Sequence, residues 1–595
     1  MLRTMLTAST ALAAVFGGFA TLAHAGNTIT FAPVSAPVTD AEKRDVRASA
    51  EVTVNAETAK IGYHTVLRAG DKVGSGTFGL ILDEKGEPVI TADGAPDISD
   101  STDFSSIIEK DGKLYILSHF ESRPAAVYMT KVEQDAATGQ LTAVDTQSVD
   151  FSADGGLWVP CAGSVTPWGT HLGSEEYEPD AQEIEAAADL SEIDDYTKPM
   201  ALYFGVDAMA TENPPSVEAF RKVFNPYRYG YITEISVGDD ETPEAVKHYS
   251  MGRLSHELGY VLPDEKTAYL SDDGTNVGLY RFVADEKGKL DAGTLYAAKF
   301  TQTSAENGGA MDITWIDLGH AASADIKAMV DKGIKFSDIF ESTAISEDGT
   351  CGEGFTASAA NGVKECLKVK PGMDLAASRL ETRRYAAIKG ASVELRKEEG
   401  VTYDPDHHRV YVAISEISNG MEDFMSKGKE SAKYDVPGAN QLALEYNPCG
   451  GVYALELDDD YAATTMKAII TGKPTTYPEG SDFAGNTCDI DGLANPDNVS
   501  YIAGFNTLLI GEDTESGHQN DAVWSLNLDS MELTRILTTP YGAETTSVYN
   551  YPDVNGHGYI MAVVQHPYGE SDEDKLSSPD QLRAYLGYVG PLPKF

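Results

Sequence analysis

The sequence predicts an all-β protein that folds as a single large β-propeller with inserted helices and hairpins. From about residue 60 onward, short apolar segments end at Asp, Gly and Asn turns, as in KLYILSHF (113–120), RVYVAISE (409–416) and AVWSLNL (522–528). Alternation of this kind predicts β-strands. Many short strands with few helical patterns favour a sandwich, a barrel or a propeller.

A loosely recurring unit favours the propeller among these folds. A Pro-Asp or Asp-Gly turn precedes an apolar strand that ends in an acidic pair, as in LPDEKTAYLSDDG, YDPDHHRVYVAISE and NPDNVSYIAGFNTLLIGED. The alternative is two β domains, but the pattern runs from about residue 100 to the C-terminus without a linker. Three helical patterns are expected as insertions between sheets, at 180–193, 324–334 and 376–390.

The N-terminal segment has the layout of a cleaved secretory signal. Residues 1–25 combine an early Arg3, a largely apolar run at 12–22 and small residues before the expected cleavage site. Residues 26–60 are then an N-terminal extension and 61–595 the propeller domain. Since no later segment approaches eighteen uninterrupted apolar residues, the sequence predicts a soluble exported protein without a membrane span, periplasmic or secreted.

Acidic residues dominate the charge of the chain. It has 93 Asp and Glu against 45 Lys and Arg, a formal net charge of -48. Such a surface disfavours nucleic acid and anionic lipid as partners, because both are bound through Lys and Arg. Two interpretations of the excess acid remain: a solvated surface suited to a saline medium, or a subset of carboxylates that binds hard cations such as calcium.

The five cysteines pose a pairing problem, because disulfides persist in exported proteins. Cys351 and Cys366 bracket a short Gly-rich segment, which predicts a local loop-closing disulfide. Cys449 and Cys488 lie beside turn residues and can form a second bridge. Cys161 is left over. It is either a buried structural cysteine or a metal-bound thiolate.

Acidic residues beside Gly, Pro or His recur at five strand ends. In a propeller such ends converge near the central channel, and crowded carboxylates repel one another unless cations neutralise them. Oxygen ligands suit calcium, and a thiolate among carboxylates suits iron. The competing interpretation is that each Asp or Asn forms a turn. The groups are Asp103, His119 and Glu121; Cys161, Glu175 and Glu176; His256, Glu257, Asp272 and Asp273; Glu398 and Glu399; and Asp497, Asn498 and Glu544.

The stretch CAGSVTPWGTHLGSEE (161–176) closely resembles the signature of the PhoX-type secreted alkaline phosphatases. Three further stretches resemble that family in the same order, at 252–283, 495–513 and 542–570. The resemblance covers the chain from about residue 100 to 570. It implies a six-bladed propeller whose central site holds Ca2+ and Fe3+ ions and hydrolyses phosphate monoesters.

The same resemblance implies roles for individual residues. Cys161 would be the thiolate ligand of an iron, with Glu175, Glu176 and Glu257 as carboxylate ligands. Asp273, Asp497 and Glu544 would complete the calcium and iron shells.

One stretch departs from the family pattern. Where the family has Arg-Pro-Glu, this chain has LRKEEGVTYDP, which aligns Glu399 with the metal-binding glutamate and Lys397 with the phosphate-binding arginine. Lysine can neutralise a phosphate with one positive charge, but it cannot form the two parallel hydrogen bonds of an arginine. The adjacent Arg396 is the alternative phosphate ligand. Because the signal also lacks the paired arginines of twin-arginine export, the chain is expected to be a divergent member.

These observations predict a secreted, monomeric, metal-dependent phosphomonoester hydrolase that acts on a small phosphorylated substrate. The sequence has no Gly-x-Ser-x-Gly elbow and no His-Glu-x-x-His motif, so serine esterase and zinc protease functions are not supported. One alternative is a calcium-stabilised propeller without catalysis that binds a partner or a surface polymer. Another is a different metal hydrolase, such as a phosphodiesterase or a phytase-like enzyme.

Overall fold

Six antiparallel sheets, blades 1 to 6, follow one another along the chain. The computed structural model describes residues 27–570 and 572–595, so the predicted signal peptide lies outside the described residues. The first strands of the six blades contact one another in order, and blade 6 contacts blade 1. The all-β propeller prediction is therefore confirmed, as a closed ring of six blades.

Each blade has four strands, which succeed one another from the centre of the ring outward. Blade 1 contains Thr102–Lys110, Lys113–Phe120, Ala126–Gln134 and Leu141–Ser148; blade 2 Gly163–Val165, His171–Gly173, Thr233–Val237 and Pro243–Lys247; and blade 3 His256–Val261, Thr267–Asp272, Tyr280–Ala284 and Ala292–Ser304. Blade 4 contains Glu398–Asp404, Arg409–Ile414, Gly451–Leu457 and Ala463–Thr471; blade 5 Pro496–Ile502, Thr507–Glu512, Ala522–Asn527 and Glu532–Thr538; and blade 6 Glu544–Val554, His557–Gln565, Tyr585–Pro593 and Gly62–Arg68.

Successive residues of a central strand pack against opposite neighbouring blades. Tyr411 lies in the apolar cluster between blades 4 and 5, and Val412 in the cluster between blades 3 and 4. Leu508 and Leu509 likewise face blades 4 and 6. Both faces of such a strand are buried, which is why its sequence is a continuous apolar run and not a strict alternation.

Two connections tie the ring together. The strand Ala310–Ala322 pairs with Ala292–Ser304 of blade 3 and with Ala463–Thr471 of blade 4, joining the two blades into one nine-stranded sheet. Gly62–Arg68, from the start of the chain, pairs with Tyr585–Pro593 near its end and completes blade 6. The ring is thus closed by hydrogen bonds between the two ends of the described chain.

Several short strands lie outside the four-stranded blades. Ile29–Phe31, Glu51–Val54 and Glu57–Lys60 form a small N-terminal sheet, and Arg47–Ala48 extends the edge of blade 5. The other short strands are Lys72–Val73, Gly76–Thr77, Thr275–Val277, Phe340–Thr343, Thr356–Ser358, Glu365–Val369, Leu395–Arg396, Met425–Ser426 and Lys429–Glu430.

The helices are short and lie in insertions, as predicted. The segment expected at 180–193 is helical only over Ala181–Ala186, because Asp189 accepts a hydrogen bond from the backbone of Ser191 and starts a separate turn. The segment expected at 376–390 is two helices that break at Glu381. The described helices are Asp40–Lys43, Ala181–Ala186, Val217–Val223, Ser323–Asp331, Phe336–Ile339, Asp374–Leu380 and Thr382–Lys389. The longest of them has nine residues, so none of the described helices can span a bilayer.

The cysteine prediction is confirmed. Cys351 pairs with Cys366, and Cys449 pairs with Cys488. Cys161 remains unpaired among the described cysteines.

Candidate metal centre

The first strands of four blades place a carboxylate at the same structural position. Asp103, Glu257, Glu399 and Asp497 are each the second residue of a first strand. At each of these residues the pairing with the second strand is interrupted, and two residues of the first strand face one residue of the second. Such bulges bend a strand and redirect its side chains. One recurring irregularity therefore brings four acids from distant parts of the sequence to one end of the ring.

The next group of candidate residues lies at the ends of the second strands. Glu121, Asp273 and Asp513 each follow directly after the second strand of their blade, and His566 takes this place in blade 6. Because the strands are antiparallel, the end of a second strand lies beside the start of the first. In blade 4 the equivalent residue is Ser415, whose hydroxyl donates a hydrogen bond to Glu399 over 3.0 Å.

Most of these residues line a cavity of about 150 Å³ in the centre of the ring. Three overlapping sets of side chains each have ligand atoms within 4.8 Å of one another. Cys161 and Glu257 each belong to two sets, so neighbouring cations would share ligands. The sets are Asp103, Glu121 and Cys161; Cys161, Glu176 and Glu257; and Glu257, Glu399 and Asp497. The cavity is lined by Glu121, Cys161, Glu176, Tyr177, Glu257, Asp273, Lys397, Glu399, Asp497, Asp513, Glu544, His566 and Glu570.

Burial and mutual repulsion make these carboxylates costly to ionise. They raise the pKa of Glu176 and Glu257 well above the usual range, and burial together with nearby Asp513 does the same for Glu544. Both carboxylate oxygens of Asp103 and one of Asp497 are buried without a hydrogen-bond partner among the described residues. Cations would neutralise this charge and occupy these oxygens, so the residues present fit a cluster of bound metal ions.

Cys161 adds a sulfur donor to this oxygen-rich set. Burial and the charges of Asp103 and Glu257 raise the pKa of its thiol well above the usual range. A buried thiol surrounded by carboxylates does not ionise by itself. A metal ion would favour the thiolate, because coordination deprotonates a thiol.

Two buried histidines hold the backbone of Cys161. Since a carbonyl only accepts, His119 Nδ1 donates its proton to the carbonyl oxygen of Cys161. His171 Nε2 then donates to His119 Nε2 over 2.7 Å, and the Ser106 hydroxyl donates to His171 Nδ1 over 2.8 Å. Burial lowers the pKa of His119 to about 4, so this chain is neutral. It fixes the backbone that carries the thiol.

Lys397 and Arg396 occupy different surroundings. Lys397 has φ of 48° and lines the cavity, with its Nζ 3.2 Å from Asp513 and 3.4 Å from Glu399. Burial would lower the pKa of Lys397, but the surrounding carboxylates outweigh it and raise the pKa well above the usual range. Arg396 pairs with Glu416 at 3.3 Å and does not line the cavity.

The structure does not bring Glu175 into the cavity. Its carboxylate binds Lys247 Nζ at 2.7 Å and accepts backbone hydrogen bonds from Trp158, Gly230 and Tyr231. Both oxygens are thereby used inside the fold. The remaining residues predicted as ligands do line the cavity: Cys161, Glu176, Glu257, Asp273, Glu399, Asp497 and Glu544.

Sequence reasoning missed four lining residues as candidates. Asp513 and His566 had a usable signal, because each follows the second strand of its blade directly. Tyr177, whose hydroxyl donates to Asp273, and Glu570 lie in loops that have no such landmark. Asp103 and Glu121 were recognised as acids at strand ends, but they were not assigned as ligands.

Comparison with known proteins gives one family match. The family model described as Alkaline phosphatase PhoX matches residues 101–567. No curated protein matches the sequence. Among solved structures, Pseudomonas fluorescens PhoX in complex with vanadate, a transition state analogue, is 17% identical, with 95% of this chain and 98% of that chain covered and a TM-score of 0.57. A putative 6-phosphogluconolactonase from Bacteroides fragilis is 13% identical, with 80% and 95% covered and a TM-score of 0.28.

Proposed function

The chain belongs to the PhoX family of alkaline phosphatases, and from this premise we propose that it is a secreted, metal-dependent phosphomonoester hydrolase. The observation that carries the proposal is the set of buried carboxylates and one thiol that the six blades converge on. A calcium-stabilised propeller without catalysis would need oxygen ligands alone, whereas this set includes the thiol of Cys161, which suits a transition metal.

The donor atoms indicate which ions the centre would hold. Glu257, Glu399 and Asp497 offer only oxygen atoms and suit Ca2+, whereas the sets that contain Cys161 suit Fe3+. When bound, such ions polarise the phosphoryl oxygens and stabilise the negative charge that develops in an in-line displacement. Glu257 would contribute to two neighbouring ion sites, because it belongs both to the set with Cys161 and to the set with Glu399.

Lys397 would bind the non-bridging oxygens of the ester. Its ammonium group is held at the cavity wall by Asp513 and Glu399, and its left-handed backbone is what turns it there. Arg396 is an unsuitable substitute, since it pairs with Glu416 and does not line the cavity. The cavity of about 150 Å³ is below the ~300 Å³ of the smallest drug-sized sites, so the phosphoryl end of a substrate enters and the alcohol end stays outside.

The proposed setting is an oxidising compartment. The two disulfides are of the kind that persists after export, which supports a periplasmic or secreted protein. We further propose that residues 61–595 act as a monomeric catalytic domain on a small phosphorylated substrate.

The test is a substrate panel with purified protein loaded with Ca2+ and Fe3+. We expect hydrolysis of an aryl phosphate monoester, inhibition by vanadate, and loss of both activity and metal in Glu257→Gln. Metal content is measured by mass spectrometry on the same samples. A fully loaded protein that hydrolyses no phosphate ester would contradict the proposal and favour the binding propeller. Faster hydrolysis of diesters or inositol phosphates would assign a different hydrolase activity.

A further inference from the structure

Arg123 lies in the loop after the second strand of blade 1, two residues beyond Glu121 of the cavity. The loop is tied to the cavity wall through its backbone. The amide of Val159 donates to the carbonyl of Ser122 over 3.2 Å, and the amide of Glu176 donates to the carbonyl of Val159 over 2.9 Å. Arg123 therefore belongs to the rim where blades 1 and 2 meet.

Two aromatic rings hold the guanidinium in place. Its central carbon lies 5.3 Å from the ring centroid of Trp158 and 5.5 Å from that of Tyr196. Trp158 is buried, and its indole donates to the backbone oxygens of Glu176 and Tyr177 at the cavity wall. Tyr196, by contrast, is 71% exposed. Cation–π contacts thus fix Arg123 between the cavity wall and the protein surface.

The hydrogen-bonding capacity of Arg123 is unused. Within the described chain its guanidinium has no hydrogen bond and no ion pair, and its Nε is buried without a partner. Arg383 shows the contrast: it binds both oxygens of Asp272 at 2.6 to 2.9 Å. A guanidinium has five donors in a planar fork that matches phosphate oxygens. Of these donors Nε is buried, and leaving it unpaired is costly.

The cavity has little positive charge of its own. Lys397 is the one lysine or arginine among the described lining residues, and it is already paired with Asp513 and Glu399. A phosphate dianion that approaches this cavity meets carboxylates first, and a free cation at the rim would lower that barrier.

We propose that Arg123 is a substrate-binding residue that captures the phosphate group at the rim and selects dianionic phosphate monoesters over monoanionic diesters. The selectivity follows from charge, because a guanidinium attracts a dianion more strongly than a monoanion. This inference rests on the proposed phosphatase function and adds to it a second cationic contact, distinct from Lys397.

The test compares Arg123→Gln and Arg123→Lys with the wild-type protein, each loaded with Ca2+ and Fe3+. For an aryl phosphate monoester, Arg123→Gln is expected to raise KM by about tenfold or more, the low end for hydrogen bonds to charged groups. The inhibition constant of inorganic phosphate should rise in parallel, while kcat and metal content stay near wild type. Arg123→Lys should restore part of the loss, and the preference for monoester over diester should narrow in Arg123→Gln.

Arg228→Gln is the matched control, since Arg228 also lacks a side-chain hydrogen bond among the described residues but lines a different cavity, beside Tyr227 and Phe336. It should leave KM unchanged. An unchanged KM and phosphate inhibition in Arg123→Gln would overturn the inference, as would a loss of metal in that variant. If the wild-type protein hydrolyses no ester, the proposed function fails, and calorimetry with inorganic phosphate decides on Arg123: equal binding by wild type and Arg123→Gln overturns its role, and weaker binding by the variant supports it.

Discussion

Glu175 and Glu176 are neighbours in the chain, but their carboxylates have opposite surroundings. Glu175 is fully buried against Lys247, which is itself fully buried, and accepts three backbone hydrogen bonds. Glu176 faces the central cavity, where Glu257 and other acids add to burial in raising its pKa. The same division occurs at Asp272, which binds Arg383, and at Asp273, which lines the cavity.

In these two pairs the fold pairs one carboxylate with an internal cation and leaves the other facing the cavity. The internal partner comes from a different part of the chain in each case: Lys247 from the last strand of blade 2, and Arg383 from an inserted helix. The first member is therefore structural, whereas the second is available for cations. Metal removal and single substitutions test which carboxylates are structural and which are available for cations.

Metal removal should have the largest effect. Exhaustive chelation is expected to abolish phosphatase activity and to lower Tm, because ions that bind only the folded state stabilise it, by about 4 kcal/mol at a thousandfold excess over Kd. Calorimetry before and after removal, with metal analysis, checks this. A melting curve that does not move once the metal is gone would mean that cations do not compensate the cavity carboxylates.

Lys247→Met should destabilise the fold without removing the metal. It leaves the Glu175 carboxylate buried and unpaired, a change that costs about 3 to 5 kcal/mol. Urea unfolding measures the free energy, and metal content per folded molecule should stay at the wild-type value. The double variant Lys247→Met, Glu175→Gln should recover part of the loss. Metal loss in Glu175→Gln alone, with unchanged stability, would place Glu175 among the ligands after all.

Lys397→Ala should affect the reaction and not the metal centre. We expect the transition state to lose about 1.5 to 3 kcal/mol in kcat/KM for a phosphomonoester, the range for hydrogen bonds to charged groups. Lys397→Arg should keep activity, and Arg396→Ala should have little effect because Arg396 does not line the cavity. Glu399→Gln, in contrast, should lose metal as well as rate. Unchanged kinetics in Lys397→Ala would remove its assigned role.

In the metal-free protein, Glu257→Gln should give the smallest and most diagnostic effect. It removes a carboxylate whose pKa is raised by burial and by neighbouring carboxylates, so the metal-free variant should be more stable to urea than the metal-free wild type. Glu175→Gln should destabilise the same metal-free protein, because it breaks an ion pair. If both variants shift the urea midpoint in the same direction, the distinction between the two kinds of carboxylate does not hold.

Much of the architecture could be predicted from local sequence. The apolar segments at 113–120, 409–416 and 522–528 are strands, and the pairing of four cysteines is confirmed. Those features depend on residues close together in the chain. The joining of two blades through Ala310–Ala322 was not predictable, because it depends on which sheet edges meet in space.

The candidate site likewise depends on contacts between residues that are distant in the chain. Glu175 and Glu176 look alike in sequence, and only the position of Lys247, more than seventy residues away, separates them. Lys397 lines the cavity and Arg396 does not, and the left-handed φ of 48° at Lys397 is not revealed by a strand pattern. Asp513 is predictable in principle, since it follows directly after the second strand of its blade.

The hydrogen bonds between Gly62–Arg68 and Tyr585–Pro593 also set an order of events in biosynthesis. Blade 6 carries Glu544 and His566, and its outer strand comes from the start of the chain. This propeller strand is therefore made before the other strands of the six blades, but its partner Tyr585–Pro593 is made after them. Glu544 and His566 reach the cavity only when blade 6 forms, so we expect the full set of cavity side chains to come together late in folding.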